Sequence, residues 1–234
     1  MKVCVLSSGS KGNSTLVITD KVKILIDLGT TTSYVEAALN NLNVDVKEIS
    51  HILITHSHVD HIKGLKVFIK RYNPVILVTE DMICDLTVNV IKTSHDAEES
   101  IGFVLTNNNS SMVYITDTGY INQKYFKILS NNNLYVLESN HDIKMLMDGP
   151  YPYYLQQRVR GDKGHLSNKQ ASDYLCKFIG DNTRKIVFAH ISEHNNSYEK
   201  VIETFNEELS KNDMKFDDVL IAKQNEVTEV IEVW

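Results

Sequence analysis

The chain has 234 residues, of which 42% are hydrophobic and 23% are charged, a composition that is ordinary for a soluble globular protein. A formal net charge of −6 argues against a generally basic surface for nucleic acid, although a local basic patch stays possible. No apolar run approaches the roughly 20 residues that cross a bilayer, so we expect no membrane partner. The three cysteines are far apart in the sequence, and the N-terminal residues have the pattern of a strand and not of a signal peptide. Both features predict a cytoplasmic protein.

The first predicted strand, residues 2–7, runs into a loop of glycine, serine and asparagine at residues 8–14. Such a loop exposes backbone N–H groups that can cradle an anion. A flexible hairpin turn has the same composition, so both interpretations stay open. As a substrate cradle, the loop would use Ser8, Ser10 and Asn13.

Two further predicted strands, residues 15–19 and 22–26, lead to Asp27. A buried carboxylate at a strand end needs a partner. Asp27 either orients a metal-ligating histidine from behind or caps the helix predicted over residues 33–41.

The densest group of chemically active residues follows an apolar strand at residues 52–54. Its members are His56, His58, Asp60 and His61. Imidazole and carboxylate suit zinc, manganese or iron. One strand-to-helix turn can direct the first two side chains at one ion and the last two at a second. The spacing therefore predicts a two-metal site, since a solvated turn needs none of these residue types.

Apolar residues at helical spacing predict one helix over residues 59–72, and Pro74 ends it. The lysines of this helix would form a solvated face. A strand at residues 75–78 and a short helix at residues 80–86 are expected next.

His95 follows a strand at residues 88–91, as the earlier histidines follow theirs. We therefore expect His95 to be the third ligand of the ion held by His56 and His58. A hydrogen-bonded core histidine is the competing interpretation.

A hairpin is predicted from strands at residues 102–106 and 112–116, with its turn at residues 107–109. The second strand ends at Asp117, whose carboxylate is placed to bridge two ions. Residues 120–129 have a helical pattern.

A strand at residues 134–137 ends in Glu138, with His141 close behind. Both side chains could support the ligands or contact substrate. The neighbouring Ser139 or Asn140 could instead cap a following helix.

Residues 158–168 concentrate positive charge in an otherwise acidic chain. Arg158, Arg160 and Lys163 could neutralise phosphates. His165 could donate a proton or a hydrogen bond to a developing charge. An exposed basic loop is the plain alternative.

The last predicted buried strand, residues 185–189, ends at His190. His190 follows a strand directly, as His95 and Asp117 follow theirs. We therefore expect it to complete the second ion site with Asp60, His61 and Asp117. His194 is expected at the surface or behind a ligand, and His51 has no expected metal role. The remaining predicted elements are a helix at residues 168–178 with Ser167 as its N-cap, a helix at residues 197–211 and strands at residues 219–222 and 227–233.

The pattern His-x-His-x-Asp-His resembles the signature of the metallo-β-lactamase superfamily of metal-dependent hydrolases. Further segments in the same order make nearly the whole chain similar to its WalJ (YycJ) group. These segments are Ser-Ser-Gly-Ser-Lys-Gly-Asn-Ser, Ile-Asp-Leu-Gly, Thr-Ser-His-Asp-Ala, Thr-Asp-Thr-Gly, Glu-Ser-Asn-His-Asp, Asp-Lys-Gly-His-Leu-Ser-Asn and Ala-His-Ile-Ser-Glu-His-Asn-Asn. In the last, His194 stands where the group pattern has glutamate, so no role transfers to that position.

The resemblance implies an α/β (α+β) fold, an αββα sandwich of two mixed sheets flanked by helices, in one domain over residues 1–234. It implies two divalent ions and 5′-to-3′ exonuclease activity on DNA. The ligands that it implies are His56, His58, Asp60, His61, His95, Asp117 and His190.

A two-ion centre can activate water for in-line attack on a phosphodiester. Asp60, Asp117 and His165 are the catalytic candidates, and binding to DNA would weaken with salt. A second candidate function is hydrolysis of a small cyclic phosphate, thioester or lactam, which needs a closed pocket. A non-enzymatic, metal-dependent nucleic-acid-binding module is the third. Metal identity and oligomeric state are not specified by the sequence.

Overall fold

Two β-sheets form the centre of the molecule in the computed structural model, which describes residues 1–108 and 110–234. The first sheet has the strand order β13-β1-β2-β3-β4-β5. Its strands are β1 (Lys2–Ser7), β2 (Ser14–Ile18), β3 (Lys23–Ile26), β4 (Ile49–Leu53), β5 (Val75–Leu77) and β13 (Ile231–Glu232).

The second sheet has the order β12-β11-β10-β9-β8-β7-β6. Its strands are β6 (Asp81–Ile83), β7 (Leu86–Lys92), β8 (Ile101–Asn107), β9 (Ser110–Ile115), β10 (Leu134–Glu138), β11 (Lys185–Ala189) and β12 (Val219–Ile221).

Both sheets are mixed, as predicted. Strands β3, β4 and β5 run parallel, and so do β9, β10, β11 and β12. The other pairings are antiparallel. Because parallel strands end at the same edge of a sheet, polar residues that follow them in sequence collect at that edge.

Helices connect the strands, and some of them cover the outer faces of the two sheets. They are α1 (Thr32–Asn41), α2 (Val59–Ile62), α3 (Leu65–Tyr72), α4 (Phe126–Leu129), α5 (Ile143–Asp148), α6 (Tyr153–Arg160), α7 (Asn168–Phe178) and α8 (Tyr198–Lys211). Single 3-10 turns lie at Val46–Glu48 and Gln123–Tyr125.

Successive side chains of a strand point to opposite faces of its sheet, and the apolar ones form three layers. On β3, Ile24 and Ile26 face the second sheet and pack in one cluster with Phe103, whereas Leu25 faces outward. The outward cluster includes Phe68 of α3 and residues of α1. A third cluster packs α4, α7 and α8 on the second sheet. The layers are therefore αββα.

Two predictions between residues 59 and 86 are wrong. Residues 80–86 form β6, a turn and the start of β7, because pairing with β7 satisfies their backbone groups. The helix expected over residues 59–72 is divided into α2 and α3 around Gly64. A Cβ at Gly64 would lie 2.3 Å from Leu28 Cδ2, so the chain packs too closely there for a larger residue.

The hairpin of β8 and β9 is present as predicted, although Asn109 of its predicted turn lies outside the described residues. Helix α7 matches its predicted bounds, and Ser167 caps it through a capping box with Gln170. Helix α6 ends at Arg160, so the first three residues of the positively charged segment 158–168 are helical and not part of a loop. None of the helices in the described ranges has the length and hydrophobicity to cross a membrane.

Candidate metal centre

Three residues that follow strand ends have a left-handed backbone, which non-glycine residues rarely adopt. They are Asp27 (φ 60°), Asp117 (φ 55°) and His190 (φ 51°). They follow β3, β9 and β11, and all three side chains are buried. Such strain costs roughly 1–3 kcal/mol per residue and persists only where surrounding contacts fix it. Three of the nine such residues in the described chain therefore lie at the strand ends where the sequence predicts the site.

His56, His58 and His95 form one triad of imidazoles. Their ring centroids lie 4.6, 5.1 and 5.0 Å apart, and one nitrogen of each ring lies within 4.8 Å of the others. His95 Nε2 is 3.3 Å from His58 Nδ1. This spacing is suited to a single cation.

Asp60, His61 and His190 form a second triad. Asp60 Oδ2 lies 3.7 Å from His61 Nε2 and 3.6 Å from His190 Nε2. The three ligand atoms again fall within 4.8 Å of one another. The sequence predicts these three side chains, with Asp117, as ligands of one ion; His56, His61 and Asp117 also meet the same distance criterion.

Asp117 lies between the two triads. Its Oδ2 is 3.2 Å from His61 Nε2, and its Oδ1 is 3.7 Å from His95 Nε2 and 3.6 Å from His190 Nε2. One carboxylate therefore faces both groups at once.

Asp27 supports the second triad from behind. Its Oδ2 is 2.7 Å from His61 Nδ1, and the two carboxylate oxygens accept hydrogen bonds from the backbone N–H and hydroxyl of Thr55. The N-cap of α1 is Thr31, so Asp27 does not cap that helix. With Nδ1 of His61 bonded to Asp27, its Nε2 is directed at the cluster.

Glu138 supports two histidines from a fully buried position. Its Oε2 is 3.0 Å from His165 Nδ1 and 3.2 Å from His190 Nδ1. Its Oε1 accepts hydrogen bonds from the backbone N–H groups of Thr118 and Leu166. The predicted alternative of a substrate contact does not fit this position, because no part of the carboxylate faces solvent.

Three buried atoms of the cluster have no hydrogen-bond partner among the described residues. They are His56 Nε2, His190 Nε2 and Asp117 Oδ2. Buried polar atoms are almost always paired, so each such atom needs an explanation. Lone pairs on two imidazoles and a carboxylate fit a divalent cation, and the residues present therefore suit a metal site.

The charges and pKa shifts within the cluster also favour a bound cation. Burial lowers the pKa of His56 to about 3, so its ring is neutral, as a ligand must be. Burial opposes protonation of His61 as well, but the carboxylates of Asp27 and Asp117 raise its pKa to about 10. Although burial disfavours its charged form, Asp117 has a pKa well below the usual range because His190 and His61 face it. The carboxylates thus require positive charge, which a bound cation would supply.

A cleft of about 160 Å³ opens beside the first triad, whose His95 lines it. Four of the predicted substrate-contact residues line it, namely Ser10, Arg158, Lys163 and His165. Asp96 also lines it and was not singled out from the sequence. Its Oδ2 accepts a hydrogen bond from Arg158 Nε at 2.6 Å, and its Oδ1 is 3.3 Å from His95 Nε2. In the sequence, the position of Asp96 directly after the expected ligand His95 is the feature that could have identified it as a site residue.

Two residues predicted to cradle substrate instead hold the centre together. Ser8 Oγ accepts a hydrogen bond from the backbone N–H of His190 at 2.7 Å. Asn13 Oδ1 accepts from Gly9 N, and its Nδ2 lies 3.1 Å from His61 Nε2. Both side chains are buried, because these two positions of the loop fold back on the ligands, whereas Ser10 between them is exposed.

His141 and Arg160 lie apart from the cleft. They line a separate cavity of about 180 Å³ beside the start of α7. His141 is buried and its Nδ1 makes no hydrogen bond among the described residues. Arg160 faces Met147 across α5 and α6. The expected contact with a substrate in the cleft therefore does not fit their position.

The two other histidines of interest lie away from the triads. His51 is within β4, with Nδ1 2.8 Å from Ser50 Oγ. His194 is exposed, and its ring centroid is 6.2 Å from that of Tyr151.

Known proteins resemble this chain in sequence and in fold. Residues 8–82 match the sequence profile of the metallo-β-lactamase superfamily. The chain is 35% identical over 221 residues to the exodeoxyribonuclease YycJ of Bacillus anthracis, covering 83% of this chain and 84% of that protein. It is 30% identical to the exodeoxyribonuclease WalJ of Streptococcus pneumoniae serotype 2 (strain D39 / NCTC 7466), covering 91% and 90%.

A solved structure with the same fold is the metallo-β-lactamase fold protein YhfI from Bacillus subtilis. It superimposes with a TM-score of 0.70 at 15% sequence identity, covering 97% of this chain and 98% of that one. At this identity the likeness supports the fold alone. With these sequence relatives and this fold, the chain belongs to the metallo-β-lactamase superfamily, within the group that contains YycJ and WalJ.

Proposed function

We propose that this protein is a metal-dependent exodeoxyribonuclease that hydrolyses phosphodiester bonds at DNA ends. The observation that carries the proposal is the pair of ligand triads on either side of Asp117. The relatives support the substrate class, since both YycJ and WalJ are named exodeoxyribonucleases. We also propose 5′-to-3′ digestion, which the resemblance to their group implies, and a cytoplasmic location, which the free cysteines and a DNA substrate fit.

In this proposal two divalent ions of zinc, manganese or iron bind next to each other within one catalytic domain. His56, His58 and His95 would hold one ion, and Asp60, His61 and His190 the other, with Asp117 between them. Bound there, the ions would lower the pKa of an attacking water and offset the charge of the phosphate.

His165 is positioned to act on the leaving oxygen. Its Nδ1 is bonded to Glu138 and lies 3.7 Å from Asp117 Oδ1, and its ring reaches the cleft. Because Glu138 occupies Nδ1, the Nε2 is the nitrogen that can face substrate, and it donates a proton or hydrogen bond when the ring carries a proton on both nitrogens. Glu138 would hold that orientation through the reaction.

The cleft offers few groups to bind the DNA backbone. Lys163 makes no ion pair among the described residues, so it can pair with a phosphate directly. Arg158 is held by Asp96, and a phosphate would have to compete with that carboxylate. Ser10 is exposed at the rim of the cleft and can add a hydroxyl contact.

End-labelled DNA tests the proposal. Duplex and single-stranded oligonucleotides with a 5′-phosphate or a 5′-hydroxyl would be incubated with the protein and Mn²⁺, Zn²⁺ or Fe²⁺. We expect stepwise shortening from the 5′ end that a chelator abolishes. Asp117→Asn should reduce the rate by more than the roughly 100-fold that supporting residues typically cost, while His51→Gln should leave it unchanged.

A protein that shortens no oligonucleotide with any of the three metals would contradict the proposal. Turnover of a cyclic nucleotide but not of DNA would favour the small-molecule hydrolase instead. Binding of DNA that depends on metal, without cleavage, would favour the non-enzymatic module.

A further inference from the structure

A second cavity, of about 130 Å³, is built on the segments that carry two of the expected ligands. Thr93 and Ser94 line it and directly precede His95, so their backbone lies within about 7 Å of that residue. Tyr120 also lines it and follows Asp117 by three residues. The cavity is therefore next to the metal centre.

Hydrogen bonds fix the walls of this cavity to each other. The N–H of Gly119 donates to the carbonyl of Ser94 at 2.9 Å, and the N–H of Ser94 donates to Thr118 Oγ1 at 3.0 Å. The N–H of Lys92, at the end of β7, donates to Tyr125 Oη at 3.2 Å. The cavity therefore has a fixed position relative to the ligands on these two segments.

The cleft of the metal centre is close by. A Cβ at Gly119 would lie 2.3 Å from Asp162 O, so the loop that carries Lys163 packs directly on the segment before Tyr120. Lys163 lines the cleft and Tyr120 lines the cavity. A strand of DNA that leaves the cleft on this side meets the cavity next.

The charge of the cavity is positive, in a chain whose net charge is −6. Lys92 and Lys124 line it, and no carboxylate does. Neither lysine forms an ion pair with any described residue. The Nζ of Lys124 lies 4.7 Å from the ring centroid of Tyr125, a cation–π contact that keeps the ammonium at the cavity. Two adjacent cations without a counter-charge favour an anion as the occupant.

Hydroxyl groups complete a set of donors. The side chains of Ser94 and Tyr120 make no hydrogen bond with the described residues, so both hydroxyls are available to a ligand. The volume is well below the roughly 300–1,000 Å³ of pockets that enclose drug-sized molecules. The cavity is therefore suited to one small anionic group and not to a whole nucleoside.

We propose that this cavity, the lysine pocket, binds a phosphate of the DNA strand being cut, one or two nucleotides from the scissile phosphodiester. The inference rests on the proposed nuclease function and adds a second contact to the substrate backbone. Successive phosphates of one strand are about 3.4 Å apart along the axis of a duplex, so a site this close to His95 is within reach.

Phosphate is the group that the donors of the pocket fit. Lysine binds phosphate as a point charge, and hydroxyl groups add hydrogen bonds to its oxygens. Contacts of this kind fix the register of the DNA and carry no sequence information, as digestion of DNA ends of any sequence requires. A terminal 5′-phosphate and an internal phosphate share this chemistry, and matched substrates distinguish them.

Steady-state removal of the first nucleotide by the metal-loaded protein tests the pocket. Three duplexes would be compared, each labelled at the 3′ end of the digested strand. The first has a 5′-phosphate, the second a 5′-hydroxyl, and the third a 5′-phosphate with neutral methylphosphonates at the second and third linkages. We expect Lys92→Gln/Lys124→Gln to raise KM for the first duplex roughly 10- to 100-fold, the range for losing hydrogen bonds to a charged group.

The duplex that lacks the bound phosphate should raise the KM of the wild-type protein by a similar factor. The double variant should show no further rise with that duplex, because the contact is already lost. If this duplex is the one with the 5′-hydroxyl, the pocket binds the terminal phosphate. If it is the one with methylphosphonates, the pocket binds an internal phosphate.

Lys21→Gln/Lys47→Gln is the matched control, since it changes the net charge by the same amount. Both lysines are exposed and precede β3 and β4, at the strand ends away from the metal centre. We expect KM values within twofold of wild type for all three duplexes.

The lysine pocket would be overturned if Lys92→Gln/Lys124→Gln kept the wild-type KM, or if the control variant raised KM as much. A rise by the same factor on all three duplexes would overturn it too, because none of the altered phosphates would then occupy the pocket. If the wild-type protein digests none of the duplexes, the nuclease proposal itself fails, a result that is seen before any variant is compared.

Discussion

Glu138 is a carboxylate whose role the sequence left open and whose contacts now define it. It is 0% exposed and is bonded to two histidines and two backbone N–H groups. Burial works against ionisation, but His165 and His190 lower the pKa of Glu138 to about 2. Glu138 therefore carries a full negative charge. Its carboxylate orients His190, an expected metal ligand, and His165, the expected general acid.

Glu138→Gln keeps the volume and removes the charge. We expect a 10- to 100-fold loss of metal affinity or of kcat/KM, roughly the cost of losing a residue that orients a metal ligand. Metal titration and oligonucleotide digestion would measure it, with Glu203→Gln on the exposed face of α8 as control. Values within twofold of wild type would contradict the assigned role.

His141 gives the fold a sensitivity to acid that is separate from the metal centre. Burial and the nearby His165 lower its pKa to about 4. The unfolded histidine binds a proton near pH 6.5, so the unfolded state takes up more protons between those values. The stabilising contribution is therefore present above pH 6.5 and is lost as the pH falls towards 4.

The expected size of this loss between pH 7.5 and 4.5 is roughly 2 to 3 kcal/mol. Urea unfolding at both pH values would show it in the metal-free wild-type protein, and His141→Gln should lose less by about that amount. His194→Gln, at an exposed site, should behave as wild type. An identical pH dependence in wild type and His141→Gln would refute the assignment.

At the scale of elements, strands with continuous apolar runs were the most predictable. The bounds of β1 and β11 agree with the sequence, as do those of α7, whose capping box is a local signal. His95, Asp117 and His190 meet at one edge because β7, β9 and β11, which they follow in sequence, run in the same direction within one sheet.

What sequence reasoning missed depends on contacts between distant segments. The pairing of Arg158 with Asp96 joins positions 62 residues apart, and the two histidines that share Glu138 lie 27 and 52 residues away. No local sequence pattern indicates which of these distant residues pair. Residues 80–86 were misassigned because a short polar and apolar mixture fits a helix or a hairpin until its partner strand is known.

Gly29 shows how closely three loops meet at the centre. Its N–H donates to the carbonyl of Asn13, whose own N–H donates to the carbonyl of Asp60. A Cβ at Gly29 would lie 1.6 Å from Asp60 O. No side chain fits there without moving an expected ligand.

Gly29→Ala should therefore destabilise the protein by about 1–3 kcal/mol and weaken metal binding. Chemical denaturation and metal titration would measure the two effects. Gly161→Ala, where the nearest atom to a new Cβ is 3.0 Å away, should cost less. Normal metal affinity in Gly29→Ala would show that the loops do not position Asp60.

At the scale of the whole molecule, the proposed function requires an acidic chain to bind a polyanion. The net charge of −6 opposes DNA everywhere except near local cations, and Lys163 is the cleft cation without an acidic partner among the described residues. Each phosphate contact to single-stranded DNA contributes a slope of about −0.7 to log affinity against log salt.

Lys163→Gln should weaken DNA binding and reduce that slope by about 0.7. Fluorescence anisotropy across a KCl series would give both numbers. Lys215→Gln is the matched control, because Lys215 precedes β12 at the edge away from the cleft. An unchanged slope in Lys163→Gln would place the phosphate contact elsewhere.

The metal content of the purified protein tests the central claim most directly. Elemental analysis by inductively coupled plasma mass spectrometry should find about two divalent ions per chain after loading with zinc, manganese or iron. Asp117→Ala should hold clearly fewer, while His51→Gln should match the wild-type protein. A wild-type chain that retains no metal, or an Asp117→Ala chain that retains as much as wild type, would contradict the two-ion centre.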